Sequence, residues 1–293
     1  MQIAFLVFLL AAVLSFFIPQ TQSRLQSALR RTPALLWAAP ILFTGIFAAA
    51  AALGNSFSLP LTALIFVYTA VPTLCAYRQG GGAIQRPTAI DFLTIALLWL
   101  PLEFGAGQTL IPRPAQGFLH SVAYGIAILL GLTLFTSFRV FPGMKIQLPR
   151  AVRDLTLPVV AFVLLAPVLA VVGIAIGFIP WPHLATKTAG QMAAAFGIIY
   201  VGTALPEEIL FRAMIQNFLM LRFGATGRTL FAASVIFGAA HLDNGPQPLP
   251  NWRYMILATI AGWAYGKVFQ KANSVMSSAG LHMLVDWTKH FFF

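Results

Sequence analysis

Charge is scarce in this chain: Asp, Glu, Lys and Arg together make up 9% of the 293 residues, and only seven of those residues are acidic. A soluble domain normally carries two to three times as much charge, so a water-facing surface of ordinary composition is excluded. Cysteine is nearly absent. Cys75 stands alone in an apolar run, which rules out an intrachain disulfide framework or a thiolate metal cluster and leaves it as an expected buried apolar thiol. Low-complexity tails and internal repeats are also missing. No polar stretch is long enough to form a soluble domain with its own core.

What the chain has is hydrophobicity, 59% of residues with a mean hydropathy of +0.84, arranged in runs near the ~20 residues that cross a bilayer. These runs fall at about 1–18, 34–53, 59–77, 90–104, 117–138, 155–179, 189–221, 229–242, 252–269 and 274–293. The fold expected is all-α, a polytopic transmembrane helix bundle of about ten membrane segments, with a C-terminal helix group that carries ionisable residues. The first run lacks a preceding positive region and a small-x-small cleavage site, and reads as a retained helix. The long run 189–221 is expected to tilt or break at Pro206.

The net charge of +11 does not point to nucleic acid, because the eighteen basic residues are spread over short connections. Alternate assignment of those connections puts Arg24, Arg30, Arg31, Arg78, Arg86, Arg139, Lys145, Arg150, Arg153, Arg222, Arg228, Lys267 and Lys271 on one side. Arg113, Lys187, Arg253 and Lys289 fall on the other, with Arg212 inside a segment. The positive-inside rule makes the richer side cytoplasmic, which puts both termini outside, in what is expected to be a plasma (inner) membrane. Membrane lipid is the partner expected of such a chain; a peptide or protein substrate enters only with the resemblance described below.

With so few acids, each can be weighed. Asp91 and Asp154 begin apolar runs and read as interfacial, as does Glu103, and Asp243 reads as a turn residue. Glu207, Glu208 and Asp286 remain, in segments that hold other ionisable groups. An ionised acid at such a position costs roughly 2.5–3.5 kcal/mol on the most lenient scale, so it must be compensated or used. On a helix Glu208 and Arg212 share a face four residues apart, while Glu207 is rotated by about 100° and shares a face with Phe211. Glu208 with Arg212 is thus expected to be a buried ion pair, leaving Glu207 to face a cavity. Phe237 and His241 share a face in the next segment, and His282 and Asp286 in the last. At ~1.5 Å per residue, Glu207 lies about 20 Å from Arg222, His241 about 18 Å from Thr229 and His282 about 12 Å from Ser274, depths compatible with one site. His120, His183 and His290, near segment ends or in a loop, need no more than interfacial anchoring.

Glu207-Glu208-x-x-x-Arg212, Phe237-x-x-x-His241 and His282-x-x-x-Asp286 together resemble the CAAX protease and bacteriocin-processing family of intramembrane proteases, which includes the type II CAAX prenyl endopeptidases. The resemblance covers about the last hundred residues, so residues 1–188 are read as N-terminal transmembrane helices of unassigned role and 189–293 as the protease core. It implies hydrolysis of a peptide bond in a membrane-associated substrate, CAAX-like and lipidated in the family's typical case. Glu207 matches the catalytic glutamate and His241 its partner in activating water. A carboxylate out of water holds a proton more strongly, which suits a general base. His282 and Asp286 match the residues that stabilise the oxyanion. The family's Asn can donate there, whereas Asp286 donates only if protonated or else fixes the His282 tautomer. Glu208, Arg212 and Phe237 are structural support. The resemblance implies no cofactor, although Glu207, His241, His282 and Asp286 also form a conceivable zinc ligand set. Two other classes stay open: a non-catalytic scaffold or bacteriocin-immunity-type protein on the same fold, and a proton-coupled transporter. The second is disfavoured because the first half holds no matching ionisable set.

Overall fold

The computed structural model describes residues 1–103, 118–245 and 248–293. Arg113, assigned above to the less basic side, lies outside them. Eleven helices and one pair of two-residue strands are described, which makes the protein all-α. Five helices are long and apolar enough to cross a membrane, or six if one bent pair is counted as a single span. The expected ten included shorter runs and runs interrupted by polar groups, and these do not meet the same length and apolarity. The chain divides into two compact units, Met1–Pro142 and Gly143–Phe293. The second begins well before 189, so the helix at Val152–Ala175 packs with the motif-bearing helices.

In the first unit, α1 (Gln2–Ser15) turns by 80° into α2 (Pro19–Arg31). Pro19 at the first helical position starts α2 cleanly, because its missing N–H would have had no partner there. The stretch read as a basic connection is therefore a helix, docked through buried Leu29 and a bond from Gln26 Nε2 to the Thr136 carbonyl (2.8 Å). Next come α3 (Ala38–Leu53), α4 (Leu59–Gln79), β1 (Gly82–Ala83), α5 (Ala89–Glu103), α6 (Phe118–Leu132) and β2 (Arg139–Val140). The run Gly80, Gly81 and Gly82 between α4 and α5 is held in place, since β1 pairs in parallel with β2. Gly81 is required there, as a Cβ would come within 2.9 Å of the Phe138 ring.

Asp91 is fully buried rather than interfacial. Arg139 grips it with Nε at 2.7 Å and Nη2 at 3.0 Å, and its Nη1 donates to the Gly80 carbonyl. Glu103, also expected at the interface, accepts from Tyr124 Oη at 2.9 Å. Cys75 is half-buried, not buried, because its helix turns it only partly inward.

The second unit holds α7 (Val152–Ala175), α8 (Ala189–Phe223), α9 (Gly227–Ala239), α10 (Trp252–Lys271) and α11 (Val275–Phe292). Asp154, buried at the start of α7, accepts from the backbone N–H of Arg150, Ala151 and Asn273. It therefore caps one helix and fastens the α10–α11 turn, a better use of a buried acid than the interface assigned to it. Lys145 Nζ donates to the carbonyls of Phe269 (2.6 Å), Gln270 (3.1 Å) and Ala272 (2.7 Å), taking up oxygens left open where α10 ends. Burial holds its pKa below the ordinary lysine value.

α8 is one helix of 35 residues. At ~1.5 Å per residue it is roughly 50 Å long, well beyond the bilayer core. No separate break follows Pro206. The α-helical ladder instead widens into π turns at Tyr200–Ala204 and Ile209–Gln216, on either side of the short stretch Leu205–Glu208. A proline inside a helix removes one donor and crowds the carbonyl four residues back, and wider turns relieve that crowding.

α9 and α10 meet through small residues. A Cβ on Gly238 would lie 2.6 Å from the Met255 carbonyl and collide with Thr259, so only hydrogen fits. Gly238→Ala should force these helices apart and cost about 1–3 kcal/mol, read as a lower unfolding temperature in detergent. Gly202→Ala, which meets nothing within 4 Å, is the control. Equal melting of the two variants would show that the close approach is not needed.

Candidate active site

The site is assembled from α8 to α11, and its polar groups converge on His282. Glu208 is fully buried at the start of the second π stretch, where its Oε2 accepts from Arg212 Nε at 2.9 Å and its Oε1 faces His282 Nδ1 at 3.1 Å. The expected ion pair is present, and Glu208 in addition ties α8 to α11. The other ring nitrogen of His282, Nε2, lies 3.3 Å from Asp286 Oδ2, one turn along α11, and 3.9 Å from Glu207 Oε2. Of the two roles open to Asp286, orienting His282 is the one this contact provides. Glu207 keeps about a third of its side chain exposed (33%), in contrast to Glu208 at 0%.

Arg212 spends its Nε on Glu208, and its two terminal nitrogens make no hydrogen bond. The guanidinium instead lies over aromatic faces, 4.7 Å from the Phe237 centroid and 5.7 Å from that of Tyr265. Such stacking, worth about 2 kcal/mol when desolvated, offsets part of the cost of burying the cation. Phe237, itself fully buried, also meets Phe211, His241 and His282 edge to face at 4.9, 4.8 and 5.7 Å. The aromatic position in the second motif is therefore the hub on which both histidines and the arginine rest.

His241 follows the last turn of α9, which ends at Ala239 rather than running to 242. Its Nδ1 is 2.8 Å from the Phe237 carbonyl. A carbonyl only accepts, so Nδ1 carries the proton and Nε2 presents a lone pair. Tyr254 packs on the same ring at 4.5 Å.

Beside these groups lies a cavity of about 80 Å³, lined on its polar side by His241, His282, Asp286 and Lys289, and on its apolar side by residues of α7 such as Phe162, Ala166 and Leu169. Glu207 is not on its wall; it stands next to His282. The structure thus brings Glu207, Glu208, Arg212, Phe237, His241, His282 and Asp286 into one cluster but does not place Glu207 in this cavity. Asp243 is an exposed turn residue, as expected. Among the described residues, no group of three or more His, Cys, Asp or Glu has the arrangement to hold a metal ion.

Sequence reasoning missed Tyr254 and Tyr265 of α10, which pack on His241 and His282 respectively, the latter stacked at 4.7 Å and 23°. A signal was available: the two tyrosines are eleven residues apart, about three helical turns, and so share a face. Lys289 was assigned to an outer connection but sits in α11, three residues after Asp286, on the cavity wall.

Comparison with known proteins agrees with the motifs. Residues 189–288 match the model of the Rce1-like family of type II CAAX prenyl endopeptidases. The matched stretch, about a third of the chain, runs from the start of α8 nearly to the end of α11, in a chain with several apolar helices of membrane-spanning length. No curated protein and no solved structure matches the chain.

Removing the Glu208 charge should leave Arg212 buried without its partner, at a cost of about 3 kcal/mol. Glu208→Gln is expected to lower the melting temperature in detergent, and adding Arg212→Gln to recover part of the loss. An unchanged melting temperature for the single variant would mean that the pair does not brace α8.

Proposed function

We propose that the protein is an intramembrane endopeptidase that uses Glu207 and His241 to activate water against a peptide bond of a membrane-associated, CAAX-like substrate. The observation that carries this reading is the cluster itself: three carboxylates and two imidazoles within one helix group, inside the stretch that the family model matches. Glu207 is the most exposed of the three, with 33% of its side chain exposed against 28% for Asp286 and 0% for Glu208.

In the proposed reaction Glu207 takes a proton from water as the oxygen attacks the scissile carbonyl carbon, and the lone pair of His241 Nε2 orients that water. The Nε2–H of His282 is shared in this proposal between Asp286, 3.3 Å away, and the developing oxyanion. Collapse of the tetrahedral intermediate breaks the C–N bond, and the proton held by Glu207 goes to the departing amine. Glu208 takes no proton. It fixes the position of His282 from the far side. The orientation that goes with this reading has the basic connections cytoplasmic and both termini outside, in the plasma membrane.

Glu207→Gln should abolish cleavage of an S-farnesyl-cysteine peptide, a drop of about a hundredfold or more, with the melting temperature kept. Full turnover by this variant would overturn the assignment. A folded wild type that cleaves nothing, in cells where Glu207→Gln still rescues the phenotype, would favour the scaffold or immunity-type reading.

The same reading is metal-free. Both ring nitrogens of His282 face carboxylates and Nδ1 of His241 is spent on a carbonyl, which leaves too few nitrogen donors for zinc. Dialysis against a strong chelator should leave the cleavage rate unchanged, whereas loss that zinc restores would install the metal mechanism.

A further inference from the structure

We infer that the end of the first unit that carries α2 is a docking surface for the headgroups of anionic phospholipids. It lies outside the stretch that the family model matches and is independent of the function proposed above.

α2 has two faces. At about 100° per residue Arg24, Ser27 and Arg31 fall in one row, with Ser23 and Arg30 at its edge, and all of these are exposed. Leu25, Gln26 and Leu29 fall on the opposite side, where Leu29 is buried and Gln26 Nε2 donates to the Thr136 carbonyl. The arginine row therefore points away from the protein, and α2 contains no acid to neutralise it.

The neighbouring elements add charge of the same sign. Tyr77, near the end of α4, stacks on Phe138 at 6.3 Å, two residues from the carbonyl that holds Gln26. This brings Arg78 to the same end, and Arg86, beyond the paired strand β1, joins it; both are exposed. The first unit has only two acids, Asp91 and Glu103. Asp91 is buried against Arg139, and Glu103 accepts from Tyr124 at the opposite end of α5. Among the described residues no exposed acid balances the arginines here.

An apolar rim separates lipid from other polyanions. Ile18 precedes α2, Leu35 follows Arg31, Tyr77 precedes Arg78 and Ile90 follows Arg86, and all four are exposed. α1, whose Ile3, Val7 and Phe8 are also exposed, meets α2 at 80°, so a helix that runs into hydrocarbon turns into one that lies along its surface. A nucleic acid or an acidic protein would cover the arginines and leave the rim in water. A phospholipid meets both, with acyl chain against the rim and phosphate against the guanidinium forks, and a net negative headgroup adds attraction from the whole patch.

The test uses the full-length protein, with native mass spectrometry to count phosphatidylglycerol and phosphatidylcholine retained from an equimolar mixture. The wild type is expected to favour phosphatidylglycerol by about tenfold or more, and Arg24→Gln/Arg30→Gln/Arg31→Gln to lower that ratio by about threefold or more. Ser27→Asp, which sets an acid in the middle of the row, should lower it in the same direction, whereas Lys271→Gln in the second unit should leave it unchanged. Melting temperatures in phosphatidylcholine nanodiscs check that the variants fold. No preference in the wild type, or one undiminished in both α2 variants, overturns the inference. Inorganic phosphate that displaces phosphatidylglycerol at millimolar concentration overturns it in favour of a soluble phosphate, and a DNA oligonucleotide that does so overturns it in favour of nucleic acid.

Discussion

One buried carboxylate holds this site together. Glu208 has no contact with water, and its two oxygens face different helices' worth of structure: Arg212 on its own helix and His282 on α11. Because a buried charge left without partners is far more costly than one that is paired, both contacts are compulsory once α8 folds. Through Arg212 the constraint passes to Phe237 on α9 and Tyr265 on α10, so four helices are set by one acid. Trp287, donating to the Met192 carbonyl at 2.9 Å, and Tyr200, donating to the Met276 carbonyl at 3.2 Å, then fix α11 along the length of α8.

The same economy runs through the chain. With seven acids in 293 residues, those the structure describes inside helices are not scattered as surface charge; each organises its neighbours. Asp91 gathers Arg139 and, with Gly80, closes the first unit's strand pair, while Asp154 caps α7 and fastens the turn before α11. In an apolar bundle a single ionic contact carries more positional information than it would in water, because the alternative partners are few.

What the sequence made legible was whatever depends on spacing within one helix. Glu208 with Arg212 and His282 with Asp286 lie four residues apart and do meet, and Phe237 and His241 share a face, because helical geometry alone brings such residues together. The choice between interface and interior was not legible for Asp91 or Asp154. Their partners, Arg139 and Asn273, are distant in sequence, and no local pattern announces the pairing. Tyr254, Tyr265 and Lys289 were passed over for a related reason. The spacing of Tyr254 and Tyr265 marks a shared face, but only the packing of α10 and α11 gives that face something to line. The association of α7 with the motif helices is likewise tertiary, since its sequence beyond Thr156 is apolar on every side.

The π turns on either side of Leu205–Glu208 carry a consequence of their own. A π turn holds one residue more than the α turn it replaces, so across Tyr200–Ala204 and Ile209–Gln216 the direction of each side chain depends on how many residues are wound in, as well as on their identity. Unwinding one such turn to the α form would swing everything beyond it by about 100°, which is the angular separation of two adjacent residues. Glu207 would then take the direction that Glu208 has now, and Glu208 that of Ile209, so the two adjacent acids would each lose their present surroundings. Their difference in burial is therefore stored as winding number in the backbone rather than in the side chains.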